Sequence, residues 1–483
     1  MFPEAFVLPY QERYILSFPL SGHLFLVNAA LVNALRQPVP EISERVFSVD
    51  LDLPIKTEGC GHAASLTPEE LGDFAPTSVV IFVTNGCNLN CKYCFATPEY
   101  RRPQFIDPRF ARAGMELAAR NAARKGAPFG IHFSGGEPLL NPSFTARLTE
   151  YAYQTAARHH VPLHLGLTTN GNIDAQTARF TQRRFDYVSF SVDGPPDVQD
   201  SMRPTAHGDG GFARLDRALG VLMSEAKPRV EIRSTFTAAI VDKMADNVEY
   251  FYRRWGVSRF CFVPLRETTR SRKSGLGAPS SEALFQAFIE ADARADALGV
   301  TLYYSAHRHG PVAGSPHFCA ISRDYFGLTQ DGFVTACSQF PRQHPSRNPL
   351  KFYLYGKFDE ETGRIVIDED KRRMLHQLHL ANKQYCLDCF ARWSCKGDCP
   401  ARLFGYPEGG KPDFLEMYRE FPSPYCPLNQ MLAYYYALKR LGLPFISGGF
   451  QPGSTAPRHR ITTVELPHLG EDPKVFCADG PEE

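Results

Sequence analysis

The chain has 483 residues, too many for one ordinary domain, and its 43% hydrophobic and 22% charged content is that of a globular protein with a real core. With 53 basic and 52 acidic residues the formal charge is only +1, so no electrostatic footprint argues for nucleic acid or an anionic membrane as a partner. No apolar run approaches a membrane span, and the opening MFPEAFVLPYQERYILS has neither a basic n-region nor a small-residue cleavage site, so a cytoplasmic location is expected.

In chain order, RYILSFP and HLFLVNA read as a β-hairpin turned at Leu20–Ser21–Gly22, with a short helix over 29–36. TEGCGHAASLTPEELGDFAPTS reads as a linker with a short helix, closing an N-terminal segment over 1–75. From 78 to 265 the pattern alternates: SVVIFVT, GIHFSGG, LHLGLTTNG, YVSFSVDG, VEIRSTFT and RFCFVPL are six strands. The first intervening helix is DPRFARAGMELAARNAARKG, with Asp107 as cap, Pro108 at the first helical position and Gly126 as terminator. Others are expected near 143–158, 174–183, 211–225 and 242–255, giving the βα alternation of a parallel sheet. The unusual residues gather at the strand ends: Cys87 and its neighbours, Gly135–Gly136–Glu137–Pro138, Thr169–Asn170–Gly171, and Ser191 with Asp193 and Gly194. Parallel α/β folds bind ligands at that edge.

Beyond 265 come a Gly/Ser/Arg-rich loop (RETTRSRKSGLGAPSS), a helix over 281–298, and a cysteine-rich region over 319–426 with little regular pattern. The basic RSRK reads as a solvated loop, and the helix MLAYYYALKRLG reads as a packing element. Residues 443–483, rich in Pro and Gly, read as a poorly ordered tail.

Thirteen cysteines remain to be explained. Cytosolic thiols rarely form stable disulfides, and their clustering points to metal. CNLNCKYCF places Cys87, Cys91 and Cys94 on one loop. Structural zinc wants four closed ligands, whereas three thiolates on a cubane leave one iron free to bind something else. Downstream, Cys319 and Cys337 precede the dense series Cys386, Cys389, Cys395 and Cys399, and then Cys426. The Cys-x2-Cys pair is also a zinc idiom, but seven is an awkward number for zinc tetrads. Cys60, Cys261 and Cys477 fit no pattern.

Cys87-x3-Cys91-x2-Cys94, followed by Phe95, resembles the signature of radical S-adenosylmethionine (SAM) enzymes, and GGEP, TTNG and SVDG at successive strand ends strengthen the likeness. The resemblance covers roughly 78–265. It implies a partial (β/α)6 TIM-like barrel and a 4Fe–4S cluster whose open iron chelates SAM, from which one electron releases a 5′-deoxyadenosyl radical. It also implies SAM contacts at Gly135, Gly136, Glu137, Pro138, Asn170, Ser191 and Asp193, with Arg214 as a second carboxylate partner. The seven later cysteines resemble a SPASM domain, which implies two auxiliary iron–sulfur clusters. Cys386, Cys389, Cys395 and Cys426 would close one; Cys319, Cys337 and Cys399 would hold the other. Between Cys319 and Cys337 no further cysteine supplies a fourth ligand, so a substrate thiolate or Asp324 is a candidate for the remaining iron.

The expected fold is therefore α/β: a small α+β N-terminal segment, a barrel over 76–270, linker and helix over 271–315, a cysteine-rich iron–sulfur domain over 316–442, and a tail over 443–483. Enzymes with this resemblance mostly modify peptides or proteins. The expectation is a maturase that abstracts a hydrogen atom from a ribosomally made precursor and installs a thioether, carbon–carbon or cyclophane crosslink, supplied with electrons by a flavodoxin or ferredoxin. Residues 6–36 loosely resemble the start of a leader-peptide recognition element, which binds by strand addition; a barrel-capping extension is the alternative. Oxidation of Cys or Ser to formylglycine, as in the anaerobic sulfatase maturases, is a second reading. It is disfavoured because Ser338, Gln339 and Phe340 follow Cys337, where those enzymes carry an acidic base. A non-catalytic iron–sulfur electron carrier is a third.

Overall fold

A computed structural model describes residues 5–19, 23–35, 71–96, 102–305, 316–338, 352–405, 414–446 and 460–461. The chain divides into two compact units, one of 1–70, 306–318 and 378–483, the other of 71–305 and 319–377.

In the first unit, β1 (Ala5–Tyr10), β2 (Arg13–Phe18) and β3 (His23–Val27) form an antiparallel sheet, with the strand Arg460–Ile461 along β1. The hairpin of β2 and β3 and the helix after it, Ala29–Leu35, agree with the sequence pattern. β1 does not announce itself, because AFVLPY is apolar throughout, without alternation, and carries Pro9. Leu8, Tyr10 and Ile15 bury against Tyr434 and Leu438 of the helix Cys426–Arg440, and the Tyr434 hydroxyl donates to the Pro9 carbonyl at 2.7 Å. The tyrosine-rich helix is thus a packing element. The cysteine-rich segment itself is built of single turns, Leu380–Asn382, Gln384–Cys386 and Arg392–Cys395, since cysteines every few residues leave no apolar periodicity to sustain longer helices.

In the second unit, β4 (Ser78–Thr84), β5 (Phe129–Gly135), β6 (Leu163–Thr169), β7 (Tyr187–Ser191), β8 (Arg229–Phe236), β9 (Arg259–Pro264) and β10 (Thr301–Tyr304) lie side by side in sequential order, all parallel. The helices Pro108–Lys125, Pro142–His159, Ala175–Arg184, Phe212–Leu222 and Met244–Trp255 connect the first six strands, and Ser281–Leu298 leads to β10. Asp107 caps the first helix through the Arg109 amide at 2.7 Å, and Gly126 ends it at φ +60, as the sequence requires. Val79, Ile81, Phe129, Ile131, Phe133, Val188, Phe190, Ile232, Phe260 and Phe262 form the buried core of the sheet. Alternate positions on β8 and β9 carry Glu231, Arg233, Arg259 and Cys261 instead. The architecture is the α/β sheet of a partial barrel.

Four additions differ from the sequence expectation. A short helix, Pro196–Met202, follows Pro195 with proline at its first position, where the sequence reads as loop. RSRK lies in the helix Thr269–Lys273, which is capped reciprocally by Thr268 and Ser271. β10 extends the sheet by one strand. Beyond Cys319, where little regular structure was expected, β11 (Gly327–Leu328), β12 (Phe333–Thr335), β13 (Leu354–Asp359) and β14 (Arg364–Ile367) continue the sheet from the free edge of β4, β11 pairing with β4 in parallel and the rest antiparallel. The expected helix before residue 75, Cys60, Cys477, Gln339, Phe340 and most of the tail lie outside the described residues.

Candidate functional site

β4 runs directly into the three-cysteine loop. Thr84 Oγ1 accepts from the Gly86 amide at 2.9 Å, and the loop is then stitched on both sides. On one side Asn90 N donates to Pro204 O at 2.7 Å and Lys92 N to Met202 O at 3.0 Å. On the other, Asn88 Nδ2 donates to Asn172 O at 2.7 Å, and Asn170 Nδ2 donates to Asn88 Oδ1 at 2.9 Å and to Cys87 Sγ at 3.4 Å. Asn170 therefore touches a candidate ligand directly.

The Gly–Gly pair at the end of β5 serves the same loop. A Cβ on Gly136 would stand 1.9 Å from Gly86 O, and Gly135 sits at φ +136 against Thr84 O. Gly136 N and Glu137 N donate to Thr84 O and Gly86 O, each at 2.8 Å. The close approach these glycines permit is to the backbone that presents Cys87. Glu137 is fully buried, and its carboxylate accepts from Leu139 N at 3.0 Å, Thr169 Oγ1 at 2.8 Å and Asn170 N at 2.8 Å. Burial pushes its pKa up to about 7, against the pull of those three donors. Pro138 receives the Thr145 hydroxyl on its carbonyl. Glu137 thus ties the ends of β5 and β6 together beneath Cys87.

Asp193 is equally committed. Its carboxylate receives Arg203 Nε at 2.8 Å and Nη2 at 3.0 Å, Thr235 N at 3.0 Å, and the hydroxyl of Tyr93. Tyr93 lies between Cys91 and Cys94, and the Arg203 guanidinium also stands 5.3 Å from its ring centroid. All three side chains are buried. The sequence offers Asp193 as a ligand contact; the structure makes it the anchor of a clamp on the cysteine loop. Arg203 and the role of Tyr93 were missed, because nothing in CKYC or SMRP signals a partner about a hundred residues away.

Ser191 ends β7, in register with Arg233, which is exposed on β8 and donates to Cys261 Sγ at 3.6 Å. The alternation in VEIRSTFT sets Arg233 on the face opposite Ile232, a signal available in the sequence but not used. Arg214 instead lies exposed on a connecting helix, where with Asn88, Leu139, Asn172 and Asp174 it lines an outer cleft.

Burial raises the Cys87 thiol well above its usual range, and Cys91, then Glu137, raise it further. Cys91 is pushed up to about 12, mainly by burial, with Arg203 pulling the other way and Cys94 adding to the rise. Thiols this hard to ionise become thiolates only opposite a strong cation, which is what a metal supplies.

Burial also pushes Cys386 and Cys426 up to about 12, and Cys389 adds to both. Cys395 is raised further still by burial, then by Asp398, Cys386, Cys426 and Cys389. These four share one electrostatic neighbourhood. Asp398, fully buried, accepts from Cys399 N at 2.7 Å and Arg402 Nη1 at 2.7 Å, fixing the turn that carries Cys399. The eleven described cysteines are free thiols, and among the described residues no three candidate ligands converge on a point that would seat a single ion. A cubane, whose thiolates go to separate irons, asks for looser spacing than a zinc ion with all its sulfurs at about 2.3 Å.

Cys319 and Cys337 belong to the other unit. After burial, Cys337 and Cys319 are what raise the pKa of Tyr325, so both lie near it. Val80 on β4 pairs with Gly327, which pairs with Thr335, so this cysteine pair sits where β4 begins, whereas Cys87 follows where β4 ends. A substrate thiolate bound there would not lie beside the three-cysteine loop. Asp324 does not serve as a spare ligand either: Arg372 Nε and Nη2 at 2.7 and 2.8 Å and His376 Nε2 at 2.7 Å take its carboxylate.

Residues 81–218 match the Radical SAM superfamily model. A cysteine-type anaerobic sulfatase-maturating enzyme of Clostridium perfringens is 25% identical over 193 residues, 39% of this chain and half of the relative's own length. Mycofactocin maturase MftC of Mycobacterium tuberculosis is 25% identical over 368 residues, 73% of this chain and 86% of that protein. The solved structure of native anSMEcpe with bound AdoMet has the same fold, with a TM-score of 0.58 at 19% identity over 75% of this chain and 97% of that one. With three cysteines at this spacing on the loop that leaves β4, and the sheet that presents them, residues 81–218 carry a radical SAM domain.

Proposed function

We propose that the chain is a SAM-dependent peptide or protein maturase, in which Cys87, Cys91 and Cys94 hold a 4Fe–4S cluster with one iron open to SAM. The observation that carries this reading is the clamped three-cysteine loop at the ligand-binding edge of the sheet. Bound there, the cluster and SAM supply a 5′-deoxyadenosyl radical. The chain's own part is to fix the cysteine loop through Asn170, Glu137 and the Asp193–Arg203–Tyr93 clamp. Ser191 and Arg233 present a hydroxyl and a guanidinium side by side for a carboxylate. Arg214, on the outer cleft, is the weaker candidate for that task. Cys386, Cys389, Cys395 and Cys426 fit one auxiliary cluster; the assignment of Cys319, Cys337 and Cys399 to another rests on the SPASM resemblance alone.

The likeness to MftC, over a stretch longer than the barrel, supports a peptide as the substrate class. In this reading a precursor peptide loses a hydrogen atom to the deoxyadenosyl radical, and the crosslink would close as the substrate radical gives one electron to an auxiliary cluster and one proton to solvent. β3 borders the N-terminal sheet in the described residues, where a leader strand can add. The electron donor is a flavodoxin or ferredoxin. Formylglycine formation is the second reading, favoured by the match to the sulfatase-maturating enzyme. Among the described residues no helix is long and apolar enough to cross a membrane.

The deciding experiment is anaerobic incubation of the reconstituted, reduced protein with SAM and candidate peptides, followed by mass spectrometry. Deoxyadenosine release with a peptide that has lost two hydrogens supports crosslinking. Exchange of a cysteine thiol for a carbonyl supports formylglycine. A protein that loads iron but never cleaves SAM overturns both.

A further inference from the structure

The helix Cys426–Arg440 brings three groups to one face, since Cys426, Asn429 and Gln430 stand three and four residues apart. Gln430 Nε2 donates to Cys389 Sγ at 3.7 Å. Asn429 is 1% exposed, yet among the described residues neither its Oδ1 nor its Nδ2 has a hydrogen-bond partner. A buried amide left unpaired is costly, so a fold keeps one where something outside the polypeptide completes it. This helix packs against Arg392–Cys395, which ends in another of the four gathered thiols. Lys383 is also buried at 1% exposure, its ammonium 4.6 Å from the Tyr418 ring centroid. Its carbonyl accepts from the Cys386 amide at 3.0 Å.

A four-thiolate cluster is an anion that gains a further negative charge on reduction. Amide donors and a buried cation beside it stabilise the reduced state more than the oxidised one and raise the potential. We infer that Asn429 donates its Nδ2 hydrogens to sulfur of the cluster held by Cys386, Cys389, Cys395 and Cys426, and with Gln430 and Lys383 poises that cluster as an electron acceptor. This rests on the proposed occupancy of those four cysteines. Asn429 acts through the cluster and touches no substrate, so it is a positioning residue.

The test is a redox titration of the full, anaerobically reconstituted chain, followed by electron paramagnetic resonance, for the parent and Asn429→Leu. The leucine keeps the volume and removes both donors. The expected result is that one midpoint shifts to lower potential while the others and the iron content stay put. Unchanged midpoints at full iron content overturn the inference. If the leucine variant does not retain the cluster, Asn429→Ser, with one short donor, decides: an intermediate midpoint supports the role, and a parental one overturns it. Loss of the cluster in both variants assigns the amide to assembly and likewise overturns tuning. The occupancy reading fails separately, if Cys386→Ala with Cys389→Ala leaves the iron content of the parent unchanged.

Discussion

Arg203 shows how much one side chain can carry. It is the bidentate partner of a fully buried Asp193, and through Tyr93 the pair reaches between two candidate ligands. Removing one partner of a buried pair leaves an uncompensated charge, so Arg203→Met is expected to cost about 3–5 kcal/mol. Thermal unfolding checks this, and iron loading of the three-cysteine loop should fall with it. Adding Asp193→Asn to Arg203→Met should cost less than the sum of the two single changes, because both act on one network. His132 offers a pH test. Its ring accepts or donates with Thr168 Oγ1 at 2.8 Å, and burial holds its pKa down at about 4 from 6.5. Between those values the unfolded chain binds more protons than the folded one, so stability falls as pH drops from about 6.5 towards 4. His132→Asn should flatten the pH dependence of the urea-unfolding free energy over pH 6.5–5 by about 1–2 kcal/mol relative to the parent. An identical slope in both proteins would remove His132 from the account.

Among the elements, legibility followed periodicity. The helix Pro108–Lys125 could be read to its caps because Asp107, Pro108 and Gly126 act locally. The six strands of the alternating region could be read because each is a β-rich run between turn signals. β11 and β12 could not: two and three residues long, they are strands only because β4 offers an unpaired edge. β1 was hidden by Pro9, and its place is fixed by Tyr434, more than four hundred residues away. In the site, the candidate cysteines were legible as a cluster from spacing, whereas Asp193, Arg203 and Arg233 take their places from pairings that no local pattern encodes. The packing of β1 and β2 on the helix Cys426–Arg440 also makes a prediction. Deleting residues 1–36 should strip Leu8, Tyr10 and Ile15 from that helix and lower iron retention at Cys386, Cys389, Cys395 and Cys426. If the N-terminal sheet served a leader peptide alone, iron content would hold and only the KM for the full precursor would rise.

For the whole molecule the sharpest number is metal. Three cubanes give roughly twelve irons per chain, about four for each cluster. Replacing Cys87, Cys91 and Cys94 together by Ala should remove about a third of that iron and all SAM cleavage, leaving the remaining clusters in place. Iron analysis and deoxyadenosine release read the two effects independently. Stoichiometric zinc in place of the auxiliary iron would defeat the assignment of the later cysteines.

β4 also acts as a ruler. Its seven residues, at about 3.3 Å each, separate the turn bearing Cys87 from the edge bearing Cys319 and Cys337 by ~20 Å. Because β11 is hydrogen-bonded to β4, that gap is set by sheet register and cannot close by side-chain rearrangement. Cysteines held at its two ends therefore keep that spacing through any change of side-chain packing, and whatever passes between them has the length of one strand to cross.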